Sequence, residues 1–466
     1  MTPPYTGHER LGKWSLLGGT LPSVSLLYLA TSIRRICHVK VVDASCLDYS
    51  EQQILDEIVL FRPAIIGISA VTPSISRAQN IARQIKNRQS EVLIVLGGPH
   101  VTTAPVKTMQ QTPAIDIGVI GEGELTLREI IERFDGSLES VSSIRGTIVR
   151  SASDGSIIRN DPRDLIRNID EIGLPAYDMI PAIDRIRPAV FKTKRLPAIH
   201  AITSRGCAHN CTFCNTNIFN KKVRYHSSKY VINLIEYLMK AGFREISFED
   251  DNFTAYKVRL REICRYLIDN RIDLSWSVNA RIDTVDRDTL KLMKDAGCWY
   301  ISYGIESGDQ DTLNRVNKKL TLDQIRTIIS MTREIGIEAK GFFIVGFPWE
   351  TRETVKRTID FAKSLHLSDL NIFPLTPFPG TDIYDEAKRS GDFDDDWRQM
   401  DLQHIVYVPE NLTREFISKS INQLLLSFYF RPLIIFNYIA RLFKSHRVFR
   451  KILIDFSKTF VFLEKK

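Results

Sequence analysis

Short apolar runs alternate with helical patterns along most of this chain, and they do so in two successive series. In the first, Val39–Asp43, Ala64–Ser69, Val92–Leu96 and Ile115–Ile120 read as strands, and Glu51–Phe61, Ser74–Lys86 and Leu125–Phe134 as the helices between them. Strands separated by whole helices pair in parallel through crossovers, which predicts an α/β, doubly wound sheet over residues 1–140. The second series has strands at Ile199–Thr203, Glu245–Phe248, Leu274–Val278, Trp299–Gly304, Ala339–Val345 and Asp369–Phe373, with helices such as Tyr230–Ala241 and Thr321–Ile335 between them. Six such units over residues 197–385 predict a partial (β/α)6 barrel, whose chemistry belongs at the carboxyl ends of its strands. Residues 141–196 hold a hairpin, Gly146–Val149 turning at Asp154-Gly155 into Ser156–Arg159, and then a linker. Residues 386–466 read as a helical tail.

The loop after the first barrel strand carries Cys207, Cys211 and Cys214, spaced C-x3-C-x2-C with no fourth cysteine close by. Three thiolates on a [4Fe–4S] cubane leave one iron open to a further ligand. Two alternatives stand beside this: a zinc site, which prefers four protein ligands, and three unrelated cysteines. The remaining cysteines, Cys37, Cys46, Cys264 and Cys298, show no disulfide-like spacing. That usage suits a reducing cytoplasm, and the polar residues after Met1-Thr2-Pro3-Pro4-Tyr5 do not resemble a signal peptide.

With Arg205-Gly206 before the triad and Phe213 inside it, the loop resembles that of the radical S-adenosylmethionine (radical SAM) superfamily. The resemblance implies that the open iron chelates SAM and that reductive cleavage releases a 5′-deoxyadenosyl radical. Further segments match in order at the ends of the later strands. Glu249, Asp250 and Asp251 are placed to receive the SAM ammonium, Arg281 its carboxylate, and Glu306 the ribose hydroxyls. Ile344 and Gly346 fall in the adenine-side segment, and Phe213 and Asn279 are further candidate SAM contacts. An acidic run also serves as a helix cap, and Arg281 and Glu306 also read as solvated surface charges. Trp349 stands where glycine is more usual; it either narrows the cavity or packs outward.

The first series resembles the cobalamin-binding domain that precedes the radical SAM core in one large subgroup. Its strands run into Ser69 to Thr72, Gly97-Gly98-Pro99-His100 and Gly121-Glu122-Gly123. Residues Ser69, Thr72, Gly97, Gly98, Pro99, His100, Gly121, Glu122 and Gly123 are therefore its candidate cobalamin contacts. Glycines admit a broad ring close to the backbone; the plainer reading gives them turn duties. Two departures stand out. The stretch Tyr5 to Gly12 lacks the aspartate and spacing of an axial-histidine motif, so His8 is not expected on cobalt. Pro3-Pro4 also come at once, where related chains lead with an apolar strand; the expectation is that this central strand is missing and that an upstream start would supply it.

The implied function is hydrogen abstraction from an unactivated carbon followed by methyl transfer, on a lipophilic or secondary-metabolite substrate. The loops also resemble the anaerobic magnesium-protoporphyrin monomethyl ester cyclases, which oxidise and close a ring, and the sequence leaves both outcomes open. A methylthiotransferase would need more cysteines ahead of the core, where only Cys37 and Cys46 occur. A non-catalytic cobalamin or iron–sulfur sensor is the alternative of another class. Expected partners are a small molecule and a low-potential electron donor such as flavodoxin or ferredoxin. The net charge of +8 lies in residues 411–466, with 11 Lys and Arg against 3 Asp and Glu, so no nucleic-acid partner is expected. There, Arg441, Lys444, Arg447, Arg450 and Lys451 interleave with apolar residues. This basic amphipathic pattern suits either a cap on the barrel or peripheral contact with a membrane.

Overall fold

The computed structural model describes residues 1–5, 19–151, 153–180, 186, 188, 192–219, 221–432 and 434–436. Strands β1 (Ile65–Ser69), β2 (Leu93–Gly97), β3 (Ile117–Val119), β4 (Thr147–Arg150) and β5 (Ile157–Arg159) form one sheet in that order. The first three strands are parallel, and β4 and β5 continue the sheet antiparallel. The hairpin read from sequence thus extends the first sheet. Strand β2 is apolar at four successive positions because both its faces are covered. Ile54, Ile81 and Ile85 pack in one core cluster, and Ile130, Val141 and Ile144 in another.

Val39–Asp43, expected as a strand, forms only an isolated bridge. Thr2 N–H donates to Val42 O at 3.1 Å, while Ser69 N–H donates to Met1 O at 2.9 Å. The Met1 ammonium donates to Gly67 O at 2.5 Å. Met1 and Thr2 therefore lie between Val42–Asp43 and the outer edge of β1. The stretch containing His8 lies outside the described residues.

The second sheet contains β6 (Ala198–Ala201), β9 (Glu245–Phe248), β10 (Ser275–Ala280), β11 (Cys298–Glu306), β12 (Glu338–Val345) and β13 (Asp369–Pro374), all parallel and in chain order. Between β6 and β9, the two-residue strands β7 (Ser204–Arg205) and β8 (Arg224–Tyr225) pair antiparallel across the cysteine loop. The sheet is an open, curled half-barrel. Its β13 edge is covered by helix Arg414–Tyr429, which buries Ile417, Leu424 and Phe428. The Tyr429 hydroxyl donates to Asp369 Oδ1 at 2.5 Å and to Leu370 O at 2.8 Å. Before this helix, β14 (Asp392–Phe393) and β15 (Tyr407–Val408) make a short antiparallel pair within the stretch expected to be helical. The basic residues from Arg441 onward lie outside the described residues. No helix among the described residues is long and apolar enough to cross a membrane.

Candidate active site

The cysteine loop leaves β6 through Thr203 to Gly206, and its base is pinned by Asp250. That carboxylate accepts from the N–H and Oγ1 of Thr203, the latter at 2.6 Å, and from Ser204 N–H at 3.1 Å; the Arg259 guanidinium lies 3.7 Å away. Asp250 is 1 % exposed and does not line the cavity described below. The structure therefore departs from its expected place at the SAM ammonium: strand alternation turns this side chain inward, where unpaired backbone N–H groups need an acceptor. Gly206 follows at φ +84°, and a Cβ there would stand 2.5 Å from Lys222 O, so the turn admits only glycine.

Of the three thiols, Cys211 is buried, Cys207 half-buried and Cys214 exposed. Burial, and then the charges of Asp251, Cys211 and Cys207, push the Cys214 thiol up to about 12 although the residue keeps exposed surface. Arg281 Nη1 lies 3.9 Å from Cys211 Sγ. Among the described residues no three His, Cys, Asp or Glu side chains converge as ligands of a single metal ion. A mononuclear zinc site needs such convergence. A cubane does not, since each thiolate binds a different iron. The donor set, three neighbouring thiols beside a guanidinium, suits a cluster whose assembly releases protons.

Around this loop the expected SAM residues meet unequal fates. Glu249 accepts from Lys192 Nζ at 2.7 Å, Ser247 Oγ at 2.6 Å and Asn279 Nδ2 at 3.1 Å. Burial would raise its pKa, but the Lys192 ammonium, with the Ser247 hydroxyl and His200 adding to it, outweighs that and holds the carboxylate at about 2. Asp251 is exposed beside it, with a pKa raised by desolvation and then by Asp250. Arg281 is buried with its fork already engaged: Nε and Nη2 donate to Asp283 at 3.0 and 3.1 Å, and Nη2 also to Lys318 O at 2.7 Å. The expected bidentate grip on a SAM carboxylate is not open to it, and Nη1 faces the cysteine loop instead. Glu306, at φ +70° on a bulge, receives Lys318 Nζ at 2.7 Å. Phe213 and Ile344 pack on one apolar cluster with Phe347. Trp349 stacks on Phe347 at 5.6 Å and donates to Thr312 Oγ1 at 3.3 Å, so it packs against neighbouring protein. Gly346 N–H donates to Glu350 Oε2 at 2.6 Å.

A cavity of about 640 Å³ opens between the two sheets. Ser69, Gly97, Gly98, Pro99, Gly121, Glu122 and Gly123 line it from the strand ends and loops of the first sheet, Ser204 and Arg205 from the β7–β8 ribbon, and Glu249 and Asp251 from the loop after β9. It also extends along Val39 to Val42 and β1. A Cβ on Gly97 or Gly121 would meet nothing within 4 Å, a bare floor on which a flat ring fits. Thr72 and His100 do not line the cavity. They face the core behind β2, where His100 Nδ1 lies 3.2 Å from Thr72 Oγ1 and its ring meets Trp397 edge-on at 4.3 Å. Helix geometry decides this, because Pro99 opens a helical turn that carries the next side chain inward. The Glu122 carboxylate is likewise engaged by protein, as described below.

Residues 201–362 match the radical SAM superfamily and residues 15–131 match the B12 binding domain. An uncharacterized methyltransferase of Pyrococcus horikoshii is 35% identical over 435 residues, 92% of each chain. The chain belongs to the B12-binding radical SAM enzymes. Its cofactors are accordingly SAM, a [4Fe–4S] cluster and cobalamin. The anaerobic magnesium-protoporphyrin IX monomethyl ester cyclase of Rubrivivax gelatinosus is 29% identical over 79% of this chain and 67% of its own. In fold, the chain matches the radical SAM methyltransferase TsrM from Kitasatospora setae with a TM-score of 0.70 at 18% identity, over 89% of this chain and 87% of that one.

Several residues of this B12-binding radical SAM enzyme carried no signal in the sequence. Lys318 sits in an Asn317-Lys318-Lys319 run that reads as solvated surface, yet it is 5 % exposed and paired with Glu306. Glu350 is fully buried, and desolvation pushes its pKa up to about 7. Arg224 follows the cysteine loop in the basic stretch Lys221-Lys222-Val223-Arg224, yet its guanidinium is half-buried against Glu122.

Proposed function

We propose that this enzyme methylates an unactivated carbon of a small, lipophilic molecule, drawing electrons from a low-potential protein donor. One cavity walled by the glycine loops of the cobalamin-type sheet and by the ends of the SAM-side strands supports this reading, because a substrate carbon held there faces both halves at once. When bound, SAM and the cluster supply the 5′-deoxyadenosyl radical and cobalamin supplies the methyl group. The residues of the chain then have distinct tasks. Cys207, Cys211 and Cys214 hold the cluster, and Arg281 sets positive charge beside Cys211. Glu249 and Asp251 offer carboxylate acceptors to the SAM ammonium. Phe213 and Ile344 supply an apolar bed for the base. Leu26, Leu29, Ile218 and Phe219 keep part of the cavity wall apolar, in keeping with a lipophilic substrate.

The test uses enzyme reconstituted with iron, sulfide and cobalamin, reduced in the presence of SAM. Formation of both 5′-deoxyadenosine and S-adenosylhomocysteine is expected. 5′-Deoxyadenosine alone would overturn methyl transfer in favour of oxidation or ring closure, and neither product would leave a sensor.

A further inference from the structure

The loop after β3 and the base of the cysteine loop are tied by four charges with little exposed surface. Arg205 Nη1 donates to Glu122 Oε1 at 2.6 Å and Arg205 Nη2 to Glu124 Oε1 at 2.5 Å. Arg224 Nη1 donates to Glu122 Oε2 at 2.7 Å, and Ile166 N–H reaches the same oxygen at 2.8 Å. All four side chains are 11 % exposed or less. Arg205 and Arg224 are themselves cross-strand partners in β7 and β8, so the two guanidinium groups approach Glu122 from one rigid ribbon. The Arg205 guanidinium also lies over the Tyr28 ring, 5.4 Å from its centre.

Two positive and two negative charges balance here, and every carboxylate bond is charge-assisted. Such buried ion clusters seldom add stability over apolar packing of the same volume; their best-attested role is to fix register between the parts they join. The parts joined here are specific. Arg205 stands two residues before Cys207, and Glu122 lies between Gly121 and Gly123 on the cavity floor.

We propose that Glu122, Glu124, Arg205 and Arg224 form a positioning clasp that sets the separation of the iron–sulfur cluster from the cobalamin. The inference rests on the placement of those cofactors in the proposed function, but needs neither substrate nor methyl product. The clasp holds the cysteine loop at a fixed distance from the glycine floor, and replacing one of its carboxylates by a neutral amide lets the two loops move apart.

The readout is the magnetic interaction between reduced cluster and cob(II)alamin, measured as relaxation enhancement of the cobalt signal in electron paramagnetic resonance of the reconstituted enzyme. Dipolar relaxation enhancement falls with the inverse sixth power of the cobalt–cluster distance, so a supporting contact loosened by about 1 Å reads as a loss of that enhancement. Glu124→Gln, which leaves both arginines bonded to Glu122, is expected to show that loss with iron and cobalamin contents unchanged. If Glu124→Gln fails to fold or loses a cofactor, Arg224→Gln carries the test, since that side chain does not line the cavity. Wild-type relaxation in the variant with both cofactors in place overturns the proposal. Absence of any cobalt–cluster interaction in the wild-type enzyme would instead refute the cofactor placement on which the proposed function rests.

Discussion

Lys318 Nζ lies 2.7 Å from Glu306 Oε1 at the carboxyl end of β11, with both side chains almost wholly buried. The same lysine offers its carbonyl oxygen to Arg281 at 2.7 Å, so the pair is linked to the guanidinium beside Cys211. Removing one partner strands the other charge in a poorly solvated place, which costs about 3–5 kcal/mol. Lys318→Met is therefore expected to lower stability by about 3 kcal/mol in urea unfolding, and Lys318→Met combined with Glu306→Leu to recover most of it. An unchanged unfolding midpoint in the single variant would show that the pair is dispensable.

Gly206 and Gly155 both have positive φ, but only Gly206 has backbone in the way of a Cβ. Gly206→Ala should cost about 1–3 kcal/mol in local strain and displace the cysteine loop, so that reconstituted protein binds much less iron. Gly155→Ala, in the β4–β5 turn, should retain it. Replacing Cys207, Cys211 and Cys214 together by Ala should abolish the visible absorption of the cluster; full iron content in that variant would refute the assignment.

Burial, with Lys107 adding to it, holds His100 down to about 4. Its folded pKa lies below the unfolded value near 6.5, so the unfolded chain binds more protons between those values and stability falls as pH drops through that window. From pH 7 to 5 the loss is on the order of 2 kcal/mol. Glu245 and Glu350, pushed up to about 7 by burial, act in the opposite sense over the same range. The comparison is thus differential: His100→Gln should lose about 2 kcal/mol less than the parent chain between pH 7 and 5. Parallel stability curves from urea unfolding would contradict it.

Among the described residues, His38 is the histidine that lines the cavity, and it is exposed. No side chain among the described residues holds it for axial ligation, so cob(II)alamin in the enzyme should show no protein-nitrogen superhyperfine splitting. Splitting that disappears in His38→Ala or His8→Ala would identify the ligand.

Leu426, Phe430 and Phe436 are exposed at and beyond the end of helix Arg414–Tyr429, ahead of the basic stretch from Arg441. Each basic residue near an anionic surface contributes about 1 kcal/mol. Flotation with anionic vesicles should carry the protein upward, neutral vesicles should not, and Phe430→Ser should weaken the effect. Equal, negligible flotation in both would leave the helix with its structural role over β13 alone.

By itself the sequence determined the parallel half-barrel, the loops that end its strands and the C-x3-C-x2-C spacing, because strand periodicity and ligand spacing are local and survive in one dimension. Helix Glu51–Phe61 and strand Glu245–Phe248 lie where periodicity puts them. Which way each side chain turns was decided in three dimensions. Glu249, Asp250 and Asp251 are indistinguishable as a string. Only the packed barrel sends Asp250 inward to Thr203 while its neighbours line the cavity, since alternation has a meaning only once one face is buried. His100 and Thr72 left the loops for the core because each stands in a helical turn that carries its side chain inward. Glu122 and Arg205 stand 83 residues apart, one in the loop after β3 and the other in the β7–β8 ribbon. Their charges meet because burying either one alone would cost more than pairing them, and no local pattern records that balance.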